Sequence, residues 1–232
     1  MRIADMTWMQ VEAYLAADDR CVLPLGCTEQ HAFLSLATDT TLAERVAVEA
    51  AEPLGIPVFP PVPYGITPYF MAYPGTVTVS PTTYERLLTE VLSSVRRHGF
   101  RRIAIVNGHG GNAPARPTAE AWAKRRKGVT LRWHDWWKAP RTRAAIEAVD
   151  PNASHASWME SFPWTRVRGA EPPRDHKPRV DLSGTSDVSP AKFRQMAGDG
   201  SFGGYYERPD SEMVAIWRVA VEETRAVLTF TA

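Results

Sequence analysis

The sequence predicts a single α/β domain with a mostly parallel central sheet and helices on both faces. Short apolar runs alternate with segments in which apolar residues recur at helical spacing, which is the pattern of strand–helix–strand units. The length of 232 residues suits one domain, and an apolar fraction of 44% is enough to build a full core. We therefore expect residues 1–232 to form one domain, with functional residues beyond the carboxyl ends of the strands.

In the N-terminal half, each expected element has its own start or stop signal. Thr7 can cap a helix that carries Val11, Tyr14 and Leu15, because a threonine oxygen accepts a free backbone N–H. Prolines suit the first turn of a helix, and glycines suit its end. The remaining elements expected here are a buried strand at 21–25, a helix at 38–51 that stops before Gly55, a proline-rich edge segment at 57–62, and a helix that begins at Ser80-Pro81 and stops at Gly99.

The C-terminal half continues the alternation of strands and helices. The expected elements are a central strand at 102–106, a loop at 107–112, a helix from about Pro114, a strand at 129–133 and a last helix at about 209–228. Residues 167–190 lack periodicity and are rich in Pro, Gly, Asp and Arg. A structureless segment of this length is usually functional or disordered, and its Asp175-His176-Lys177 could belong to a lid or to an oligomer contact.

The charge and the cysteines argue against several classes of partner. A formal net charge of +1 gives no field that would favour nucleic acid or an acidic membrane, and the basic run 124–127 before Gly128 is typical of a solvated helix end. Cys21 and Cys27 would lie about 20 Å apart on an extended segment, so we expect free thiols in a reducing compartment. The N-terminus has no signal pattern, and no stretch reaches the roughly 20 apolar residues of a membrane span. We expect a cytoplasmic protein with no nucleic-acid or membrane partner.

Two acids and a histidine follow the first expected strand. Glu29 and His31 are two residues apart, so in an extended turn their side chains point the same way. Carboxylates and imidazoles are the usual ligands of zinc, manganese and iron, and Asp39 adds a third donor. The alternative for Asp39 is helix capping, because it would open the next helix after Thr38.

A glycine-rich loop with a central histidine, at 107–112, follows the central strand. Its glycines allow backbone conformations that other residues avoid. Such a loop can cradle a phosphate at a helix start, but no Lys-Ser/Thr pair follows, as a phosphate-binding P-loop requires. A histidine between glycines at a strand end is better placed as a metal ligand, and we predict that role for His109.

A third group contains His155 and Glu160. They are five residues apart, which is more than one helical turn, so they need not share a helix face. Taken alone, the segment 154–161 is typical of a helix start capped by Ser154. A functional interpretation becomes stronger only when this group is considered together with the other two.

In order and spacing, the three groups resemble the motifs of the creatininase (creatinine amidohydrolase) family. That family carries a strand ending in Gly-Ser/Cys-Thr-Glu-Gln-His, then Thr-Asp, Pro-Gly-Thr, Asn-Gly-His-Gly-Gly-Asn and His-Ala-Gly-x-x-Glu-Thr/Ser. The corresponding segments here are 26–31, 38–39, 74–76, 107–112 and 155–161. The resemblance covers about residues 20–165, and 198–204 is similar to the family's glycine-rich segment before the last helix.

The resemblance implies a site for two divalent metal ions per chain, of zinc, manganese or iron. Glu29 and His109 would hold one ion, His31 would hold the other, and Asp39 would bridge them. Some family members also use a glutamate two residues after the loop histidine. This chain has Gly111 there, so the second ion would either depend on Glu160 or be weakly held.

The same resemblance implies a catalytic role for His155 and a reaction. His155 is similar to the histidine that moves protons in the family, and Glu160, if it is not a ligand, would orient it. The implied reaction is hydrolysis of a non-peptide C–N bond in a cyclic amide or formamide-type small molecule. The implied assembly is a homo-oligomer, often a hexamer.

Three tryptophans, Trp133, Trp136 and Trp137, lie at or just past the end of an expected strand. We expect Trp136 and Trp137 to form an aromatic wall that binds a flat substrate. The alternative is that strand alternation sends Trp133 and Trp137 into the core. Two other functions also stay open, namely a metallopeptidase acting on a short peptide and a non-catalytic small-molecule sensor.

Overall fold

A computed structural model describes residues 1–183 and 188–230, and a parallel sheet lies at its centre. Within the described residues the sheet has three strands in the order β1-β2-β3, namely β1 (Arg20–Leu25), β2 (Arg102–Asn107) and β3 (Thr130–Asp135). Leu25 pairs with Asn107, and Asn107 pairs with Asp135. All three strands therefore end at the same edge of the sheet, where side chains that follow them can meet.

The α-helices of the described residues begin and end close to the residues that the sequence indicates, except for two, at 140–149 and 190–197, that the sequence analysis did not predict. The helices are α1 (Trp8–Leu15), α2 (Thr38–Ala51), α3 (Pro81–His98), α4 (Arg116–Lys124), α5 (Pro140–Val149), α6 (Pro190–Ala197) and α7 (Asp210–Leu228). Thr7 and Gln10 form a reciprocal capping box at the start of α1. Ser80 accepts the backbone N–H of Thr83 at the start of α3. The helix expected from about Pro114 begins instead as a 3-10 helix, Gly110–Ala115, and becomes α-helical at Arg116.

The sheet is covered by helices on both faces, as the alternation of strands and helices predicts. Successive strand residues point to opposite sides, so each face presents its own apolar set. Val22, Ala104 and Val106 share one core cluster with residues of α2 and α7. The opposite face shares a cluster with α3 and α4, and its strand residues are Cys21, Leu23, Leu25, Ile103 and Ile105. Both faces of β1 and β2 are buried, which is why these two strands are apolar along most of their length rather than alternating.

The proline-rich segment at 57–62 lies beside the outer edge of β1 without forming a regular strand. Val58 makes an isolated parallel bridge to Val22, and Val62 makes one to Leu25. Proline has no N–H to donate, so a continuous ladder cannot form along this segment. The edge position expected from the sequence is therefore correct, and the pairing is limited to isolated bridges.

Part of the long aperiodic segment is tied to the body of the protein. Lys177 forms a bridge with Gly204, and its ammonium group donates to the carbonyls of Ala197 at 2.9 Å and Ser201 at 2.7 Å and to the Asp199 carboxylate at 2.5 Å. These bonds hold the turn at 197–201 in place. Residues 184–187 lie outside the described part of the chain.

Two further expectations concern the cysteines and the membrane. Cys21 and Cys27 are both buried and free, as predicted. None of the helices within 1–183 and 188–230 combines the length and apolarity needed to cross a bilayer.

Two glycines let α2 approach the ends of the strands. A Cβ at Gly108 would lie 2.4 Å from the carbonyl oxygen of Asp39 and 2.9 Å from the Ala43 Cβ. A Cβ at Gly26 would lie 2.4 Å from the Cα of Thr40. Only glycine allows this contact without a backbone shift, and the contact brings the first turn of α2 to the edge where β1 and β2 end.

We therefore expect Gly108→Ala to lower the free energy of unfolding by about 1–3 kcal/mol, the usual cost of overpacking. Gly110→Ala is the matched control, because a Cβ at Gly110 meets no atom within 4 Å. Denaturant unfolding of both variants measures the difference. Equal stabilities would contradict the proposed close packing of α2 on β2.

Candidate metal centre

Residues from different elements meet at the carboxyl edge of the sheet. Glu29 and His31 lie in the turn after β1, Asp39 lies in the first turn of α2, and His109 directly follows Gly108 at the end of β2. Each of these four residues is at most 3% exposed. Glu160 ends a short 3-10 helix, Trp158–Glu160, and approaches from the other side.

The first subsite is formed around the ring of His109. Its Nδ1 lies 2.9 Å from Asp39 Oδ2 and 3.4 Å from Glu29 Oε1. One nitrogen and two carboxylate oxygens thus converge on one point. This is a donor set that zinc, manganese or iron accepts.

The second subsite is formed around His31. Its Nε2 lies 3.1 Å from Asp39 Oδ1 and 3.8 Å from Glu160 Oε2. The two oxygens of Asp39 therefore face two different imidazoles. The capping alternative does not describe this residue, because Ala37 is the N-cap of α2 and no side chain caps that helix.

Several of these atoms are buried without a hydrogen bond to any described residue. They are Glu29 Oε2, His31 Nε2 and Asp39 Oδ2. The short contacts that they make are not aligned as hydrogen bonds. Unpaired polar atoms in the interior cost free energy, and a bound cation removes that cost. The residues present therefore fit one or two divalent ions.

The second nitrogen of each imidazole is held by a backbone carbonyl. His31 Nδ1 lies 3.2 Å from the carbonyl oxygen of Glu29, and His109 Nε2 lies 3.1 Å from that of Ile66. A carbonyl can only accept, so in the neutral rings these nitrogens carry the hydrogen. The lone pairs of His31 Nε2 and His109 Nδ1 then point into the cluster, as metal ligation requires.

In the absence of an ion, protons compensate the buried carboxylates. Burial alone would lower the pKa of His31, but the charge of Asp39, with smaller effects of Glu160 and Glu29, raises that pKa to about 10. Burial opposes a similar rise at His109, whose pKa Glu29 and Asp39 hold well above its ordinary value. Both imidazoles are consequently protonated near neutral pH when no metal is bound.

His155 lies beside the two subsites and is neutral. Its ring stacks on Phe70 at 4.8 Å and lies 4.8 Å from Phe202. Burial, together with the positive charge of His31, lowers the pKa of His155 to about 4. Its Nδ1 lies 3.7 Å from Glu29 Oε1, so this nitrogen faces the candidate metal centre.

Gln30 determines which nitrogen of His155 carries the hydrogen. Gln30 Oε1 accepts the backbone N–H of Ala32 at 3.1 Å, and Gln30 Nε2 donates to the carbonyl of Gly200 at 3.1 Å, so the amide orientation is set. The same Nε2 lies 2.9 Å from His155 Nε2. An amide nitrogen is only a donor, so His155 Nε2 accepts and Nδ1 carries the hydrogen toward the site.

The carboxyl group of Glu160 has a raised pKa. Burial raises its pKa to about 7, although His31 opposes the rise. Its Oε2 accepts the backbone N–H of Ala156 at 2.6 Å. The carboxyl group can therefore exchange a proton near neutral pH when no cation is bound beside it.

The cluster opens into a cavity of about 230 Å³. Aromatic side chains form part of its walls, and two basic side chains also contribute. The aromatic residues are Tyr69, Phe70, Trp137 and Phe202, and the basic ones are Lys138 and Arg143.

The aromatic wall expected from the sequence is formed differently. Trp137 does line the cavity, but the expectation for Trp136 is wrong, because Trp136 is 2% exposed and packs in the core against Phe162 and Trp217. Strand alternation ends at Asp135, and a 3-10 turn, Trp136–Lys138, rotates the two rings to other directions. Trp133 is half-buried against the opposite core cluster.

Sequence reasoning missed Gln30, Phe70 and Phe202 as neighbours of the site. Gln30 stands inside the motif at 26–31, yet no local pattern indicates that it reaches His155, which is 125 positions away. Neither Phe70 nor Phe202 follows a strand: Phe70 ends a short 3-10 helix, Pro68–Phe70, and Phe202 lies in a loop. Only the folded chain brings these residues together.

Comparison with known proteins places the chain among hydrolases of one family. The family model described as creatinine amidohydrolase matches residues 4–228. A mycofactocin precursor peptide peptidase from Mycolicibacterium smegmatis is 41% identical over 107 residues, which cover 43% of each chain. A creatinine amidohydrolase from Pseudomonas putida is 32% identical over 115 residues, or 46% of this chain and 44% of that one. A 3-dehydro-scyllo-inosose hydrolase from Thermotoga maritima is 35% identical over 107 residues, or 45% of this chain and 34% of that one.

The matched stretches thus span less than half the length of these three relatives. Solved structures match over nearly the whole chain. A creatininase variant complexed with creatine superposes with a TM-score of 0.81 at 22% identity, covering 100% of this chain and 99% of that one. A manganese form of creatininase gives 0.79 at 21% identity, covering 97% and 96%. These likenesses confirm the fold class.

The first expectation from this site concerns metal content. We expect the purified protein to carry about one to two equivalents of zinc, manganese or iron per chain, and His109→Ala to lose at least one. Elemental analysis measures both. His134→Ala is the control, because His134 is also buried but contacts Thr224 at 3.0 Å, away from the cluster. Protein that contains no metal and takes none up would refute the metal centre.

A second expectation concerns pH. Because both imidazoles are protonated in the metal-free cluster near neutral pH, ions must displace these protons, and metal affinity should fall as the pH falls. At pH 8 we expect release of at least two protons when both subsites fill, one from each imidazole. Titration calorimetry in two buffers of different ionisation enthalpy measures this number. Binding without proton release would contradict the assignment of His31 and His109 as ligands.

Proposed function

The chain belongs to the creatininase (creatinine amidohydrolase) family, and on that premise we propose that it is a metal-dependent amidohydrolase that cleaves a C–N bond of a cyclic amide or formamide-type small molecule. The observation that supports this proposal most is the placement of the Asp39 carboxylate, whose two oxygens face His31 and His109 at 3.1 and 2.9 Å. We assign Glu29, Asp39 and His109 to one ion and His31, Asp39 and Glu160 to the other. Zinc or manganese is favoured, because structures of related creatininases are described as zinc and manganese forms.

Divalent ions bound by these residues would polarise the substrate carbonyl and make water acidic enough to attack it near neutral pH. The residues of this chain orient the reactants and supply a proton. Amide nitrogen is a poor leaving group unless it is protonated, so a donor must face it. His155 is neutral and presents its Nδ1–H toward the site, where Gln30 keeps it. A neutral imidazole does not release this hydrogen, so His155 would act as a hydrogen-bond donor to the negative charge that develops on the substrate. Glu160, with a pKa raised to about 7, is the candidate proton donor if it is not bound to an ion.

The cavity supports a small substrate. Its volume of about 230 Å³ is below the roughly 300–1,000 Å³ of pockets for drug-sized ligands. The rings of Trp137, Phe70 and Phe202 suit a flat molecule. Lys138 and Arg143 provide positive charge that suits a carbonyl or carboxylate substituent.

A peptidase of the same family is the second candidate, and a specific observation favours it. A further cavity of about 430 Å³, lined in part by residues 179–183, shares Ser154 and Phe202 with the first. A short peptide could extend from one cavity into the other. The relative with 41% identity is also described as a precursor peptide peptidase. A non-catalytic sensor is disfavoured, because a sensor has no need of the complete buried ligand set.

Metal-loaded protein should be assayed against cyclic amides, formamides and short peptides. We expect turnover of a cyclic amide or formamide, and Trp137→Ala should raise KM for a flat substrate more than it lowers kcat, since the ring would contribute uniform binding. Turnover of peptides alone would support the second candidate. Ligand binding without turnover, in the presence or absence of metal, would support the sensor.

We expect His155→Ala to slow turnover by about a hundredfold or more, the usual effect of losing a preorganised hydrogen-bond donor to the charge that develops in the transition state. Metal content should stay nearly unchanged, because His155 belongs to neither subsite as assigned here. His98→Ala, at the exposed end of α3, is the control for removal of an imidazole. Loss of metal from His155→Ala would instead identify His155 as a ligand.

We also propose that residues 1–232 act as one catalytic domain within a homo-oligomer, which the family resemblance implies is often a hexamer. We place it in the cytoplasm, without nucleic-acid or membrane partners. Trp8 and Met9 on α1 are 71% and 53% exposed, which supports a subunit contact there. The two free cysteines support a reducing compartment. Light scattering at micromolar concentration should give a mass above the 25.8 kDa of one chain, and a mass equal to one chain would contradict the assembly.

A further inference from the structure

Cys27 is a buried thiol that lies against the first metal subsite. Its Sγ is within 4.8 Å of ligand atoms of Glu29, Asp39 and His109, and all four residues are buried. Cys27 directly follows Gly26 and lies two positions before Glu29, on the turn after β1. The thiol is therefore close enough to share one ion with these three residues.

A separate observation indicates that a cation belongs at this point. Glu29 Oε2 and Asp39 Oδ2 are buried in residues that are only 1% and 3% exposed, and neither atom has a hydrogen-bond partner among the described residues. Two unpaired carboxylate oxygens, a thiol sulfur and an imidazole nitrogen therefore lie together as potential donors. Such a set is typical of a metal site rather than of an apolar core.

The position of the sulfur is restricted by its surroundings. The carbonyl oxygen of Cys27 accepts the Thr40 hydroxyl at 3.1 Å, which ties this backbone to the start of α2. A Cβ at Gly65 would come within 3.2 Å of Cys27 Sγ, so the chain at Gly65 closely covers the sulfur. These contacts keep the thiol beside the cluster.

We propose that Cys27 is a fourth protein ligand of the ion held by Glu29, Asp39 and His109, and that its sulfur makes this subsite selective for thiophilic ions such as zinc over manganese. This inference rests on the metal centre of the proposed function. On binding, the thiol releases its proton to solvent and the thiolate forms a bond to the ion, with no change of oxidation state. The second subsite offers only nitrogen and oxygen from His31, Asp39 and Glu160, so the two positions differ in metal preference.

Cys21 provides a matched control within the same chain. It is also buried and free, but it packs in the apolar cluster formed by β1, β2, α3 and α4. None of the potential ligand groups found among the described residues includes it. Cys21 is therefore a core cysteine, and Cys27 is distinguished from it by its neighbours rather than by its burial.

The test uses cobalt(II), whose bond to a thiolate gives a charge-transfer absorption band in the near ultraviolet. The full-length protein is stripped of metal and loaded with one and then two equivalents of cobalt, with bound metal measured by equilibrium dialysis. We expect the band in the wild-type protein and in Cys21→Ser, and its loss in Cys27→Ser. We also expect the ratio of zinc to manganese affinity to fall by about tenfold or more in Cys27→Ser, since even outer-shell changes cost tenfold in metal affinity.

The outcomes separate this inference from the metal centre itself. Cobalt that binds to the wild-type protein without the band would overturn the role of Cys27 and leave the other ligands in place. Protein that binds no cobalt would overturn both proposals. A band that persists in Cys27→Ser would also refute the assignment. If Cys27→Ser does not fold, Cys27→Ala replaces it. The band in the wild-type protein shows whether a thiolate is bound, and its persistence in Cys21→Ser assigns that thiolate to Cys27.

Discussion

The burial of the Asp39 carboxylate between two imidazoles is the constraint on which the rest of the structure depends. Three acids, Glu29, Asp39 and Glu160, meet at the end of the sheet with almost no access to water. Such a group of charges is tolerable only if cations or protons compensate it. The raised pKa of His31, about 10, shows how strongly the cluster attracts positive charge. In the proposed hydrolytic metal centre, bound cations would supply this positive charge.

The scaffold is arranged to place that carboxylate accurately. The strands are parallel and in register, so Leu25 and Asn107 end side by side, and the turns that follow them deliver Glu29, His31 and His109 to one place. Asp39 comes from a helix instead, and it reaches the same place only because Gly108 leaves room for the first turn of α2. Four of the proposed ligands therefore lie on, or directly after, regular elements, while Glu160 comes from a short 3-10 helix.

A second layer of contacts orients His155 from outside the cluster. Lys177 holds the turn at 197–201 through bonds to Ala197, Asp199 and Ser201. Gly200 of that turn accepts a hydrogen bond from Gln30, and Gln30 sets the tautomer of His155. The aperiodic segment that contains Lys177 thus supports the site from a distance. Because the segment around Lys177 shows no local pattern in the sequence, its support of the turn at 197–201 could not be predicted.

The resemblance to family motifs identified the residues that gather at the sheet edge, and local patterns in the sequence determined the class of fold and the limits of most helices and strands. They could do so because capping by Thr7, termination at Gly99 and apolar periodicity all depend on neighbours along the chain. The tertiary structure alone decided that Trp136 is core and Trp137 faces the cavity, because a 3-10 turn after β3 breaks the alternation. It alone brought Gln30 to His155 and placed Cys27, rather than Cys21, beside the ligands. These arrangements depend on which distant segments pack together. Beyond the end of a strand, the spacing of residues along the chain no longer determines the direction of a side chain.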